Sequence, residues 1–168
     1  MSNLLRRTFS GIVYVLLFLF AILFSKESYV ILTSLFGLLC IWEFSKLINL
    51  KGLIGYVFFG ITLILILKRL ESYAVVIILG ITIISSLHLI FSLVSKKEIT
   101  YLNDRSKFGI LTRYFIFSMI FLILLPIYKG SYNSSLMICI LLMIWTNDSF
   151  AFFVGKNMGK RKLFVSIS

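Results

Sequence analysis

The sequence predicts an all-α, polytopic membrane protein. Of its 168 residues, 60% are hydrophobic and only 14% are charged, and the mean hydropathy is +1.06. A chain of this size with so few polar side chains cannot cover a water-soluble core. Six apolar runs are separated by short segments that contain charged residues. They predict about six transmembrane helices in a single membrane domain over residues 1–168.

The six predicted spans differ in length, and the first three are shorter than the roughly 20 apolar residues that cross a bilayer core. Apolar flanking residues such as Phe44 and Leu47 can extend the second run, and local thinning of the bilayer accommodates modest mismatch. Five spans is therefore the alternative count. The basic pair Arg6-Arg7 precedes the first run, as in a signal peptide, but no small-residue cleavage site follows, so we interpret this run as a retained helix. The predicted spans are 9–24, 29–42, 52–67, 72–94, 108–128 and 132–154.

Lysine and arginine predict the orientation, because cytoplasmic loops retain positive charge. With the N-terminus inside, only Lys26, Lys68, Arg69 and Lys129 fall on the outer side. Both termini are thus expected in the cytoplasm, with residues 155–168 forming a basic cytoplasmic loop. The basic residues then expected inside are Arg6, Arg7, Lys46, Lys51, Lys96, Lys97, Arg105, Lys107, Lys156, Lys160, Arg161 and Lys162.

The net charge of +11 raises the question of which anionic partner the chain meets. Nucleic acid is not expected, because no soluble domain interleaves aromatic and basic residues into a base-reading surface. The membrane topology, with its basic cytoplasmic loops, accounts for most of the net positive charge. The remainder, concentrated on the cytoplasmic side, predicts contact with anionic membrane lipids.

Asp148 differs from the other acidic residues because it lies inside an apolar run. It precedes the end of the sixth run, at Val154, by about two helical turns, which is a depth of roughly 9 Å. A charge at such depth costs on the order of 2–3 kcal/mol, so we expect Asp148 to face protein or water and to have a functional role. For the adjacent Thr146 and Ser149, we favour hydrogen bonds to neighbouring helices. The other acids are Glu27, Glu43, Glu71, Glu98 and Asp104, at span ends or in loops.

A basic segment follows the sixth run. Gly155 and Gly159 flank Lys156, and the cluster Lys160-Arg161-Lys162 comes next. Glycines let backbone amides approach a ligand closely, and nearby cations neutralise phosphate oxygens. Alone the pattern is nonspecific, because a cytoplasmic loop after a final span is commonly basic.

Two ionisable residues in other runs have open alternatives. His88 in the fourth run either titrates or binds a ligand, or is a hydrogen-bonded interior residue. Arg113 in the fifth run either holds a lipid phosphate or extends its side chain to the interface. Similarly, Glu43 after Trp42 either supports the site or is an exposed carboxylate at a helix end.

The stretch from Asn147 to Ser168 resembles the bacterial phosphatidate cytidylyltransferase, or CDP-diacylglycerol synthase, family. In that family a membrane aspartate precedes an aromatic residue, a glycine-rich basic loop, and an Ile-Ser pair that opens a Ser-Pro-Lys-Lys-Thr-like motif. Val165 departs from the pattern, where many members have proline. The chain also ends before the Pro-Lys-Lys-Thr continuation, so we expect it to be the N-terminal portion of a longer enzyme and inactive alone. The matching residues, in order, are Asp148, Phe152, Gly155-Lys156, Gly159-Lys160 and Ile167-Ser168.

The resemblance implies a nucleotidyltransferase that makes CDP-diacylglycerol and pyrophosphate from CTP and phosphatidate in phospholipid biosynthesis. It implies a site on the cytoplasmic face of the bacterial inner membrane, and it allows a homodimer. Asp148 would be catalytic and would bind Mg²⁺, alone or with a second cation. The substrate-binding residues it implies are Asn147, Lys156, Lys160, Arg161, Lys162, Ser166 and Ser168.

Two other functional classes remain as alternatives. In a transporter fragment, Asp148 would be an intramembrane ion or proton site. Apart from Arg113, the first five runs contain no second charge away from their ends, and no paired broken helices suggest alternating access. In a nonenzymatic membrane scaffold, the order of Asp148 and the basic loop would be accidental.

Overall fold

The structure is a computed structural model that describes residues 3–68, 72–95, 103–128 and 131–159. Helices α5 (Asp104–Ile110) and α6 (Phe117–Leu124) are joined by a π-helical segment, Leu111–Ile116, into one rod over Asp104–Leu124. Two short strands, β1 (Ile127–Tyr128) and β2 (Ser131–Tyr132), pair antiparallel. The helices are α1 (Asn3–Phe24), α2 (Lys26–Leu47), α3 (Ile54–Lys68), α4 (Ser72–Val94), α5 (Asp104–Ile110), α6 (Phe117–Leu124) and α7 (Ser134–Met158). The predicted helical class is confirmed.

Each predicted apolar run overlaps a helix or the α5–α6 rod, but the end of the fifth run (127–128) and the start of the sixth (132) lie in strands β1 and β2 and not in a helix. Four of these elements are long and apolar enough to cross a membrane, as expected for a helical membrane protein: Lys26–Leu47, Val75–Ser92, Asp104–Leu124 and Ser134–Asn157. The apolar helices Phe9–Phe24 and Ile54–Lys68 are shorter. The count of six spans therefore stays a prediction.

Side-chain caps define the first residues of α2 and α7 more precisely than the hydropathy pattern does. Ser25 separates α1 from α2 and caps α2, since its Oγ accepts a hydrogen bond from the Ser28 N–H at 3.1 Å. The Ser28 Oγ accepts from the Ser25 N–H at 3.0 Å, which completes a capping box and starts α2 at Lys26. Asn133 caps α7 in a similar way, as its Oδ1 accepts from the Leu136 N–H at 3.0 Å.

The main core lies where α2 and α3 pack against the Asp104–Leu124 rod. Two glycines permit this close approach. A Cβ added to Gly37 would lie 3.0 Å from the Phe59 ring, and one added to Gly55 would lie 2.8 Å from Leu111 Cδ2. Small residues at such contacts bring membrane helices together without a hydrophobic driving force. The buried residues of this core are Ile41, Phe59, Leu63, Ile66, Leu111, Ile116, Ile120, Ile123 and Leu124.

A second cluster joins the end of α1 and the start of α7 to the main core. The buried side chain of Tyr29 donates its hydroxyl to the Leu122 carbonyl oxygen at 2.6 Å, and that hydroxyl lies 3.5 Å from Met137 Sδ. Tyr132 donates to the Ile22 carbonyl oxygen at 2.9 Å. These bonds hold α1, α2, α6 and the start of α7 in one unit.

The Tyr29 hydroxyl should contribute measurably to stability. Tyr29→Phe leaves the Leu122 carbonyl without its side-chain donor in a buried site, so we expect the free energy of unfolding to fall by about 1 kcal/mol. The measurement is equilibrium unfolding in mixed detergent micelles. The matched control is Tyr73→Phe, because Tyr73 is 85% exposed. Equal stability of the two variants would contradict this assignment.

Candidate functional site

Only the first half of α7 packs against the rest of the described structure. Met137 is buried and contacts Ile22 of α1, with Ile138 and Leu141 beside it. From Leu142 to Asn157 the side chains are exposed, apart from a half-buried Trp145. The second half of α7 therefore forms a bare surface, that is, one that no other described element covers. The predicted site lies on this surface.

Asp148 lies in the middle of this bare surface. Its carboxylate makes no hydrogen bond or ion pair with any residue that the structure describes. Asn147 is next to it, while Phe152 and Gly155 follow at spacings of four and seven residues, which place them on the same helix face as Asp148. The helix thus aligns three of the positions that carry the family resemblance. Both Asn147 and Asp148 are exposed and have unused oxygen acceptors.

The polar neighbours of Asp148 do not bind other helices. The Thr146 hydroxyl donates to the Leu142 carbonyl oxygen at 2.7 Å and to that of Met143 at 3.0 Å, both within α7. Ser149 is exposed. Our expectation that Thr146 bonds a neighbouring helix is wrong, because no described helix covers this half of α7. The hydroxyl instead bonds back to its own helix, as is common for threonine in apolar helices.

The basic segment starts later than the sequence predicted. The helix continues through Met158, so Gly155 and Lys156 lie in its last turn and not in a loop. Lys156 is exposed there. The other predicted substrate-binding residues, Lys160, Arg161, Lys162, Ser166 and Ser168, lie outside the described residues.

The two glycines of this segment have different structural roles. The Gly159 N–H donates to the Gly155 carbonyl oxygen at 3.2 Å and ends the helix. A Cβ added to Gly159 would collide with that same oxygen, whereas one added to Gly155 would meet nothing within 4 Å. Gly159 is therefore required for the way the helix ends, and Gly155 leaves open space on the face of Asp148.

A second charged region lies at the reversal between α2 and α3. A cavity of about 330 Å³ is lined there by Trp42, Lys46, Asn49 and Lys51, among others, and Lys46 Nζ lies 3.8 Å above the Trp42 ring. Lys107 Nζ donates to the Asn49 carbonyl oxygen at 3.1 Å and lies 3.6 Å from Asp104 Oδ1. Three basic residues predicted to be cytoplasmic thus meet at one end of the helices. Glu43 is exposed on α2 nearby.

Two residues of α7 offer oxygen donors of the kind that bind a hard metal ion. No group of three or more His, Cys, Asp or Glu residues lies together in the described segments. Asp148 offers a carboxylate and Asn147 an amide oxygen. Magnesium is commonly bound through one or two carboxylates together with substrate phosphates and water. The carboxylate of Asp148 fits such a partial site, whereas Asn147 projects about 100° away from it around the helix.

Sequence reasoning did not connect His88 with Arg113. The structure places both on one cavity between α4 and the π-helical segment, together with Ser85 and Tyr114. The sequence did contain a signal for this pairing, which is the position of the two residues along their helices. Both residues lie a few turns from the same connection, so antiparallel packing of the two spans brings them to a similar depth.

Comparison with known proteins identifies the family. The model of the cytidylyltransferase family matches residues 5–168. The phosphatidate cytidylyltransferase of Bacillus subtilis (strain 168) is 28% identical over 174 residues, which cover 100% of this chain and 64% of the relative. The chain thus spans less than two thirds of that relative's length. No solved structure gives a significant match. Because the family model covers nearly the whole sequence, the chain belongs to the cytidylyltransferase family.

Proposed function

We propose that this chain carries part of the active site of a phosphatidate cytidylyltransferase. In the reaction, a phosphate oxygen of phosphatidate attacks the α-phosphorus of CTP. A bond forms between them as the bond from the α-phosphorus to the bridging oxygen breaks, which yields CDP-diacylglycerol and releases pyrophosphate. The observation that carries the proposal is the unpaired carboxylate of Asp148 on the bare half of α7, aligned with Phe152 and Gly155.

The residues of α7 suit the needs of phosphoryl transfer, which depends mainly on positioning and on stabilisation of charge. Asp148 would hold Mg²⁺, alone or with a second cation, and the metal would supply charge neutralisation on the phosphate oxygens. Asn147 would contact the substrate. Asp148 and Lys156 are separated by about 12 Å along the helix, so Lys156 can reach a different phosphate group of the same nucleotide. Lys160, Arg161 and Lys162 would add cations, and Ser166 and Ser168 would add hydroxyl donors.

The bare half of α7 also explains how a lipid could meet a nucleotide. Its apolar side chains, such as Phe150 and Phe153, are 68% and 59% exposed and suit acyl chains or further helices. Asp148 interrupts this surface with a charge, and the basic turn follows at the helix end. A lipid arriving laterally would therefore meet the polar face before the aqueous end of the helix.

We further propose that both termini and the α7 site face the cytoplasm at the bacterial inner membrane. The grouping of Lys46, Lys51 and Lys107 at one end of the helices supports this orientation, because cytoplasmic ends carry the excess of basic residues. The same cluster would contact anionic lipid headgroups. A homodimer is compatible with this arrangement.

Asp148→Asn in the complete protein should abolish magnesium-dependent formation of CDP-diacylglycerol. The amide keeps the size and the polar surface of the side chain but removes the charge that a metal ion requires, so we expect a loss of at least about 100-fold in kcat. The assay follows labelled CTP into the lipid fraction. Asp104→Asn removes an equal charge from an exposed residue and should retain activity. Near-normal turnover by Asp148→Asn would refute the metal-binding role.

Gly159→Ala should lower kcat/KM for CTP by about 10- to 100-fold, because small displacements of a positioning element have effects of this size. The added Cβ collides with the Gly155 carbonyl oxygen and forces the helix end to shift. Gly80→Ala in α4 is the control, since its Cβ also meets open space and the residue lies outside α7. Both variants should remain folded, so that a loss confined to Gly159→Ala reports the displaced helix end. Identical kinetics would show that the helix end does not position the substrate.

The orientation can be measured by labelling single cysteines, introduced after Cys40 and Cys139 are replaced by alanine. A cysteine at Asn103 should react with a membrane-impermeant maleimide in inside-out vesicles, and one at Tyr73 in right-side-out vesicles. Both positions are exposed and lie near opposite ends of α4 and the α5–α6 rod. The reversed labelling pattern would place the α7 site outside, where CTP is absent.

A further inference from the structure

A second polar cavity lies away from α7, between α4 and the π-helical segment. Its volume is about 350 Å³. The polar part of its lining consists of Ser85 and His88 from α4 together with Arg113 and Tyr114 from the segment. Apolar walls are supplied by residues such as Ile84 and Ile110. The cavity is thus amphipathic, with its polar groups gathered on two facing helices.

The polar lining is rich in hydrogen-bond donors and contains no carboxylate. Arg113 is permanently charged, and the hydroxyls of Ser85 and Tyr114 and the ring of His88 can each donate. Arg113 uses its Nε–H to bond the Gly109 carbonyl oxygen at 3.1 Å, which fixes the guanidinium and leaves its other N–H groups for a ligand. A group with several oxygen acceptors and negative charge suits such a lining.

The backbone at this point is specialised for holding Arg113. The segment Leu111–Ile116 is a π-helix, a form that is rare and often occurs at functional sites. Gly109 lies one turn before Arg113, and a Cβ there would approach Arg113 Nη2 to 3.4 Å. The guanidinium thus lies along the helix surface next to Gly109.

The position of the cavity in the fold indicates the class of ligand. Both lining elements belong to helices that are long and apolar enough to span a membrane. His88 is about 9 Å from the end of α4 along its axis, and Arg113 is about 13 Å from the start of the rod, so both lie at a similar distance from the connection between the two elements. Ile84 is 69% exposed and Tyr114 is 42% exposed, so the cavity opens on the outer surface of the described bundle. A ligand entering there comes from the lipid.

We propose that this cavity binds the phosphate group of a glycerophospholipid, with the acyl chains lying along the apolar wall. Arg113 donates charge-assisted hydrogen bonds to the phosphate oxygens, and His88, Ser85 and Tyr114 complete the coordination. The desolvation cost of a charged arginine below the membrane surface is offset by the lipid anion. The site does not depend on the proposed function, because it shares no residue with α7.

Lipid binding by the purified complete protein tests this directly. Native mass spectrometry in detergent would compare phosphatidate, phosphatidylglycerol and diacylglycerol, with inorganic phosphate added as a competitor. We expect Arg113→Gln to weaken binding of both phospholipids at least about tenfold. Lys68→Gln, which removes a charge from the other end of the helices, should bind as the unmodified protein does. Uncharged diacylglycerol should not occupy the site.

Ser85→Phe is a second, independent variant for the lipid-binding experiment, since the phenyl ring fills the cavity and leaves Arg113 and His88 in place. It should reduce phospholipid binding as strongly as Arg113→Gln. Preference for phosphatidate, or equal binding of the two phospholipids, would each support a lipid phosphate site. Unchanged binding by both variants, equal binding of diacylglycerol, or complete displacement by inorganic phosphate at concentrations equal to the lipid would overturn it.

Discussion

The close packing of α2 and α3 against the Asp104–Leu124 rod is the constraint on which the rest of the structure depends. In lipid, helices gain little from burying apolar side chains against one another, so association needs close backbone contact and hydrogen bonds. Gly37 and Gly55 permit the first, since each lies where a larger side chain would crowd Phe59 or Leu111. Tyr29 supplies the second through its bond to the Leu122 carbonyl.

This packing determines which polar side chains face a neighbouring helix and which are exposed. The rod is held on one side by α2 and α3, and α4 packs against its π-helical part. Arg113 consequently faces α4 across a cavity instead of projecting freely. In contrast, among the described residues α7 is attached only through its first half, by Met137 and its neighbours, so Asp148 lies on an exposed surface. The proposed anion site and the proposed metal ligand therefore lie on different elements.

The lysines at the reversal between α2 and α3 and the arginine Arg113 differ in depth, and their side-chain chemistry suits this difference. The proposed reaction would bring a highly charged nucleotide to an apolar phase. Lys46 and Lys51, at the reversal between α2 and α3, are suited to phosphate groups that are already solvated. A fixed arginine such as Arg113 suits the deeper position, because its guanidinium stays charged where lysine would lose its proton more easily.

The sequence by itself determined the helical membrane class, the approximate position of each helix, and the identity of Asp148 as the exceptional acid. These follow from hydropathy and from the cost of burying charge, which act on each segment separately. The order of the motif residues from Asp148 to Gly159 is likewise a property of the sequence alone, and it agrees with the cytidylyltransferase family whose model matches the chain.

Only the tertiary structure decided the end of α7, the bonding of Thr146 within its own helix, and the pairing of His88 with Arg113. A hydropathy run cannot distinguish a helix that continues past the apolar core from one that stops there, so Gly155 and Lys156 were assigned to a loop. The cavity depends on the π-helical register and on antiparallel packing between α4 and the rod. The packing is a contact between distant parts of the chain, and the π-helical register is a local backbone feature that hydropathy does not reveal.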